Sequence, residues 1–326
     1  MKQARINVLI VTYKQADVIG RNIDSILKQK EYGLNKIIIC DDCSPDNNWE
    51  IIQGYAKQYP DIIISYRNNP NLGIYGNSNK LASLCGDSDL YCWLEGDDAL
   101  CDGFFKSTQE YIRTNGIDLS QPLGIFGDYI AINTQGQKTI MKNDFVEKGY
   151  NPFGAYLRGL ETWRVTVFTK SGLERFNPVD TDKGLILAET LFDSQFFRYI
   201  EKAYYNPVLG TIYYTGIGVS VTWNLSNPLS SYRTSDNIIM WQYIIDNGLI
   251  KEKDDLYWAK SRISYSKCLE RFSFKELTKY RRFYNKGMEM YNVSFKLSFI
   301  LTLRLFYKSI IAYCKRHISC HKSYLI

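Results

Sequence analysis

Histidine is nearly absent from this chain of 326 residues: there are two, His317 and His321, both close to the C-terminus. That excludes a Ser-His-Asp arrangement in the core, so a general base must be a carboxylate. Glycine-rich phosphate loops are also missing. The turn Val11-Thr12-Tyr13-Lys14-Gln15-Ala16 after the first apolar run has none of the glycines that let a pyrophosphate approach a helix N-terminus, and no Gly-x-x-x-x-Gly-Lys-Ser/Thr segment occurs. Dinucleotide and P-loop chemistry both fall away. No secretory leader opens the chain, because Met1-Lys2-Gln3-Ala4-Arg5 leads into a run of only strand length, and a cytoplasmic protein is expected. The eight cysteines are scattered, which fits free thiols in a reducing compartment. There is neither an internal repeat nor a low-complexity linker.

What is present is enough apolar surface, at 45% of residues, to bury a full core. Ile6 to Val11 reads as a strand, followed by a helix with Ile19, Ile23, Ile26 and Leu27 on one face. Lys36 to Cys40 is a second strand ending on Asp41-Asp42, after which Ser44 is the expected N-cap and Pro45 the first helical residue. A third strand spans Ile62 to Tyr66, a short helix Asn77 to Cys85, and a fourth strand Leu90 to Leu94. Strands alternating with helices predict a parallel, doubly wound sheet. Further on the pattern predicts a helix over Gly103 to Thr114, strands over Leu123 to Asn133 and Thr162 to Thr169, a turn at Asn133-Thr134-Gln135-Gly136, and a helix over Thr190 to Ala203. From about Asp236 onward the periodicity is helical.

The fourth strand, Leu90-Tyr91-Cys92-Trp93-Leu94, stops on Glu95-Gly96-Asp97-Asp98. Ligands of open α/β sheets collect beyond the carboxyl ends of such strands. Adjacent carboxylates repel unless compensated, and their oxygens suit Mg2+ or Mn2+ held together with substrate phosphates. In order and spacing, Val8-Leu9-Ile10-Val11-Thr12-Tyr13, Ile38-Ile39-Cys40-Asp41-Asp42-Cys43-Ser44, Asn71-Leu72-Gly73 and Leu94-Glu95-Gly96-Asp97-Asp98 resemble the motifs of family-2 glycosyltransferases with the GT-A fold. The resemblance covers the first third of the chain. It implies a Rossmann-like, doubly wound, mostly parallel α/β domain, expected over residues 1–235, and the helical periodicity and basic charge beyond make 236–326 the expected helical, basic extension.

The implied reaction is inverting hexosyl or N-acetylhexosaminyl transfer from a nucleoside diphosphate sugar, UDP in the first instance, with Mn2+ or Mg2+ as cofactor. Carried over by position, Thr12 and Tyr13 would line the base pocket, Asp42 would hydrogen-bond the nucleobase, Asp97 would lie near the ribose and Asp98 would bind the metal. A carboxylate is a suitable acceptor for the imide N–H of uracil. The alternative role for Asp41 and Asp42 is charge at a helix N-terminus. Many relatives carry Ala-Arg-Asn where this chain has Asn77-Ser78-Asn79-Lys80; Asn77 or Asn79 would stand in, with Lys80 supplying charge.

The family places its base at the start of a helix. Phe192-Asp193-Ser194-Gln195 resembles that segment, which makes Asp193 the candidate and Glu189 its rival. Tyr213 to Val221 resembles a loop that closes over the donor, but Thr215 stands near the usual Arg position, so Arg233 or no cation would act there. Trp163 and Trp223 are candidate sugar platforms, with core packing the commoner use of a Trp.

Lys251 to Ile326 hold 17 Lys and Arg against 6 Asp and Glu, whereas the preceding residues hold 23 against 28. A basic end of this kind meets an anionic surface. Val293 to Tyr313 carries Phe295, Phe299, Leu303, Phe306 and Ile310 along one stripe, with Ser298, Arg304 and Lys308 opposite. Spanning a membrane would bury three cations at about 2.5 to 3.5 kcal/mol each, so lying on an anionic membrane costs less. Packing against its own domain is the alternative. Cys314, His317, Cys320 and His321 have zinc-compatible spacing in a tail where thiols are otherwise incidental; Cys40-Asp41-Asp42-Cys43 has no second pair nearby. The expected partners are a nucleoside diphosphate sugar, a glycan or lipid-linked acceptor and a membrane, not nucleic acid. The rival functions are a nucleotidyltransferase, which would carry a Gly-rich, Arg/Lys-bearing loop after strand one, and an inactive sugar-nucleotide binder.

Overall fold

The structure, a computed structural model, describes residues 3–148, 153–155, 166–170, 173, 200–216, 229–250, 252–270, 273–288 and 302–311. The chain divides into two compact units, Met1–Thr181 with Asp193–Gly218 and Asp182–Phe192 with Val219–Ile326.

The first unit alternates strand and helix at its start: β1 (Ile6–Thr12), α1 (Ile19–Leu27), β2 (Leu34–Asp41), α2 (Asn48–Gln58), β3 (Ile63–Arg67), α3 (Gly73–Ser83) and β4 (Leu90–Glu95). Then follow β5 (Ala99–Leu100), α4 (Phe104–Thr114), β6 (Leu123–Ile132), β7 (Lys138–Met141), β8 (Thr166–Phe168) and β9 (Lys202–Tyr214). The sheet order is β3-β2-β1-β4-β8-β6-β9-β5, with β7 beside β6. The first four strands are parallel, β8 runs antiparallel between β4 and β6, and β9 is parallel to β6. This is the expected mixed α/β architecture.

Side-chain alternation explains why the parallel half is apolar throughout. Val8, Ile10, Ile37, Ile39, Cys92 and Leu94 point to the face where Ile19, Ile23 and Ile26 of α1 and Ile52 of α2 complete one core. The alternate residues Leu9, Ile38, Tyr91 and Trp93 are buried as well. Strands covered on both faces have no solvent side to make polar. The register pairs Thr12 with Asp41 and Val11 with Glu95, so β1, β2 and β4 end at one edge. Because β2 and β3 lie on one side of β1 and β4 on the other, that edge contains a topological switch point, where a crevice opens.

Several local expectations are corrected. Helix α2 starts at Asn48 with Asn47 before it, not at Ser44; the Ser44 hydroxyl instead accepts the Lys14 amide at 3.0 Å and ties two loops together. Helix α3 begins at Gly73, four residues before Asn77. The helix expected to reach Ala203 does not, because Lys202 and Ala203 open β9, a strand of Tyr, Val, Thr and Ile. Pro207 obscures it in the sequence, yet lies where the pairing with β6 shifts register around Asp128, and such bulges accommodate proline. The Asn133 to Gly136 turn is present, closed by Gly136 N–H to Asn133 O at 2.9 Å.

The second unit consists, among its described residues, of helices α5 (Leu229–Asp246), α6 (Lys253–Glu270), α7 (Phe274–Met288) and a helical stretch over 302–311. Helix α5 runs through residue 235. An aromatic seam joins α6 to α7, with Trp258 and Tyr284 centred 5.0 Å apart and Tyr265 and Tyr280 5.8 Å apart. Among the described residues no helix is long and apolar enough to cross a membrane.

Candidate functional site

The two aspartates at the end of β2 look equivalent in sequence and do different work. Asp41 is fully buried and spent within the protein: it accepts from Asn48 Nδ2 at 2.7 Å and Ser44 N at 3.0 Å, with Arg67 Nε at 3.5 Å. It shapes the turn into α2. Asp42 is anchored by its backbone, donating its N–H to Thr12 O at 3.0 Å and accepting Asn71 Nδ2 on its carbonyl at 2.6 Å. Its Oδ1 accepts from Asn68 Nδ2 at 2.9 Å and from Leu72 N at 2.8 Å. The residue is only 3% exposed, and its Oδ2 accepts no hydrogen bond from the described residues, so a buried, oriented carboxylate retains acceptor capacity at the sheet edge.

Behind Asp42 lies a brace. Asn77 is buried, and its amide accepts from Asn68 at 2.9 Å while donating to Cys40 O at 3.0 Å. Asn68, unmarked by any sequence motif, links Asn77 to Asp42. Asn79 is half-buried two positions along α3 and therefore on a different side of that helix. Tyr13 and Leu72, each next in sequence to a residue that anchors Asp42, expose large apolar side chains, as does Ile74 at the start of α3. Burial pushes the Cys40 thiol up to about 12, which keeps it a protonated, unreactive thiol in the metal-free protein.

Thr12 is buried, its hydroxyl donating to Gln15 Oε1 at 2.7 Å and accepting from Asn48 Nδ2 at 3.1 Å. This packing explains the glycine between Glu95 and Asp97. A Cβ on Gly96 would run into Gln15 Oε1 and come within 2.9 Å of Thr12 Cβ and Oγ1, so any larger residue there must displace Gln15 and disturb buried Thr12.

The acidic segment is held by helix α1. Asn22 Nδ2 donates to Glu95 O at 2.8 Å and Asp98 O at 3.0 Å, and Arg21 Nη2 donates to Asp97 O at 2.7 Å. One turn on, Ser25 Oγ accepts from Leu100 N at 2.9 Å; one turn further, Gln29 donates to Cys101 O at 3.1 Å and accepts from Phe105 N at 3.2 Å. Asn22 and Ser25 share one face of α1 and Gln29 follows two residues past its end, and buried polar groups there need partners. The apolar stripe of α1 is legible in the sequence, whereas a set of polar residues beside it reads equally well as a solvated face.

Asp98 is only 1% exposed, and its Oδ1 accepts from the backbone N–H of Tyr214, the last residue of β9, at 3.3 Å. Asp97 is half-buried. Among the described residues no three His, Cys, Asp or Glu gather into a cation cage. Thr12, Tyr13, Asp42, Asp97 and Asp98 thus share one sheet edge, with Asn77 behind it. Asp193, Glu189, Trp163, Trp223, Cys314, His317, Cys320 and His321 lie outside the described residues, as does the side chain of Arg233.

Among curated relatives, the processive diacylglycerol beta-glycosyltransferase of Mycoplasma pneumoniae is 26% identical over 145 residues, 44% of this chain and 39% of that protein. The match therefore spans less than half of that relative. In fold the chain is similar to S. aureus TarS 1-349 in complex with UDP-GlcNAc, at a TM-score of 0.58 and 14% identity over 98% of this chain and 92% of that one. It is likewise similar to the mannosyltransferase PcManGT from Pyrobaculum calidifontis in complex with GDP-Man and Mn2+, at 0.57 and 11% over 98% and 88%. These likenesses show the fold. The family model of Glycosyl transferase family 2 matches residues 7–170, half of the chain and all of the β1-to-β8 scaffold that carries Asp42, Asp97 and Asp98. The chain belongs to glycosyl transferase family 2.

Proposed function

We propose that the protein transfers a sugar, with inversion, from a UDP-sugar to a hydroxyl of a glycan or lipid-linked acceptor in cell-envelope polysaccharide synthesis. The observation that carries this is Asp42: its carboxylate is fixed on one oxygen by Asn68 and Leu72 and keeps acceptor capacity on the other, beside exposed Tyr13 and Leu72. A fixed acceptor suits the uracil imide N–H, and cytosine presents no donor at that ring position. Asn77 acts through Asn68, and Thr12 sets the path of the backbone. Asp97 lies near the ribose, and Asn79 is left for the phosphate side.

The donor set fits a hard divalent cation. Two adjacent carboxylates with no third among the described residues match the way Mg2+ or Mn2+ is held by one or two carboxylates plus substrate phosphates. Asp98 would hold it, and when bound the cation supplies charge compensation for the departing diphosphate. In the transfer itself the acceptor oxygen bonds to the anomeric carbon as the bond from that carbon to the diphosphate breaks, and Asp193 takes the hydroxyl proton.

The test is thermal denaturation with nucleoside diphosphates. UDP alone should raise the melting temperature slightly and UDP with Mn2+ more; a ligand at 100 times its dissociation constant stabilises by about 2.7 kcal/mol. An equal response to CDP, ADP or GDP overturns the uracil assignment.

The relative named for a diacylglycerol acceptor and the basic end of the chain support a place at the inner face of an anionic membrane. Over 302–311, Leu303, Tyr307 and Ile310 are exposed along one side, Arg304 and Lys308 are exposed next to them, and Leu305 and Ser309 are buried on the other side. Phe306, expected on the apolar stripe, instead lies against Phe274 at 6.1 Å. Changing Leu303, Tyr307 and Ile310 together to Gln should weaken sedimentation with phosphatidylserine vesicles by about tenfold or more, since surface attraction adds to apolar burial. Unchanged sedimentation by the folded variant would remove the membrane from the account.

A further inference from the structure

We propose that Arg21 is the positioning residue of the Asp97-Asp98 pair, latching the acidic segment to the end of β9. Two contacts meet at its guanidinium, and a third joins their partners. Nη2 donates to Asp97 O at 2.7 Å, and the guanidinium carbon sits 3.6 Å from the centre of the Tyr214 ring, a face-on stack. Tyr214 is also the residue whose backbone N–H donates to the Asp98 carboxylate at 3.3 Å. One side chain therefore secures the backbone of the first aspartate and the residue that orients the second. The adjacent Asn22 fixes Glu95 O and Asp98 O, so the latch stands on a helix already bound to the same segment.

The arrangement is costly, which argues that it does more than fill space. Among the described residues Arg21 forms no ion pair, makes one hydrogen bond of the five its guanidinium offers, and keeps its Nε buried without a partner. Buried donors without partners are rare because they lose their hydration uncompensated. A Leu or Met would cover the Tyr214 ring without that loss. What only a planar, forked cation does is stack on the ring and donate to the carbonyl at once.

This rests on the metal-dependent donor reading above, and the sign of the effect separates positioning from simple charge. By Coulomb's law alone, removing a positive charge beside two carboxylates should tighten divalent cation binding. Loss of a positioning contact should weaken it, typically by 10- to 100-fold for residues behind metal ligands. The experiment is calorimetric titration of Mn2+ into the full-length protein with UDP present, for the unaltered chain, Arg21→Met, Arg21→Lys and Arg21→Gln, with a ligand-free melt of each to confirm folding. Arg21→Met is expected to weaken Mn2+ binding by about tenfold while UDP binding without metal stays within about twofold. Arg21→Lys, which keeps the charge but not the planar fork, should weaken it too, and Arg21→Gln, which keeps an amide donor for Asp97 O, should recover part of the loss. Tighter or unchanged Mn2+ binding in folded Arg21→Met overturns the latch alone. Absence of any Mn2+ binding by the unaltered chain with UDP overturns the latch and the metal-dependent donor reading together.

Discussion

Asp193→Asn is expected to slow sugar transfer by about 100- to 10,000-fold while donor affinity hardly changes. The substitution keeps size and polarity but cannot accept the proton of the incoming hydroxyl. The chain has no histidine before residue 317, so a carboxylate must do this. Two buried carboxylates of the first unit are already committed: Asp41 is spent on Asn48 and Ser44, and Asp128 receives the Tyr205 hydroxyl at 3.0 and 3.1 Å and the Asn143 backbone amide at 3.0 Å. The Asp193 assignment follows the resemblance of Phe192-Asp193-Ser194-Gln195 to the family's base segment, with Glu189→Gln as the control expected to cost less. Calorimetric UDP-sugar binding beside the transfer rate separates the roles, because a donor-binding carboxylate loses affinity and a base loses rate. Near-normal transfer by Asp193→Asn would move the base to Glu189.

The second large effect is expected at Asp98. Asp98→Asn should abolish the Mn2+-dependent part of the UDP melting shift and lower transfer by about 100- to 1,000-fold. Charge compensation at a departing group is worth several kcal/mol, and about 1.4 kcal/mol is a factor of ten. The choice of Asn matters, because Asp98 is buried and accepts the Tyr214 amide. Asn can still accept that hydrogen bond, whereas Ala leaves a backbone donor without its partner at about 1 to 3 kcal/mol. Asp98→Ala should therefore melt lower than Asp98→Asn without ligand, although both lose the metal response. A full Mn2+ response in Asp98→Asn would show that the carboxylate serves only to fasten β9.

Much of the scaffold was legible because it is written in local pattern. Continuous apolar runs ending on polar residues marked β1, β2 and β4, and three-and-four spacing marked the apolar face of α1. The later strands were harder for identifiable reasons. Ala99–Leu100 is too short to carry a period, Lys138–Met141 is exposed throughout and has no buried face to alternate, and β9 carries a proline at its bulge. Helix α2 began later than its capping residues suggested because Ser44 was already engaged by Lys14, a residue thirty positions away.

By itself the sequence determined that a parallel α/β edge would present Thr12, Asp41, Asp42, Asp97 and Asp98 together, since each terminates an apolar strand and parallel strands of one sheet end on the same side. Only the tertiary structure decided what each carboxylate does there. Asp41 turns inward to Asn48 and Arg67, Asp42 is held open by Asn68 and Leu72, and Asp98 is fastened to an amide 116 positions away in β9. It also turned Arg21, Asn22, Ser25 and Gln29 into the support of the acidic segment over separations of 72 to 76 residues. Burial and strand direction follow from periodic apolar content that neighbouring residues carry in common. A hydrogen bond between distant segments depends on one donor meeting one acceptor after the chain has folded, and such a meeting has no period for the sequence to display.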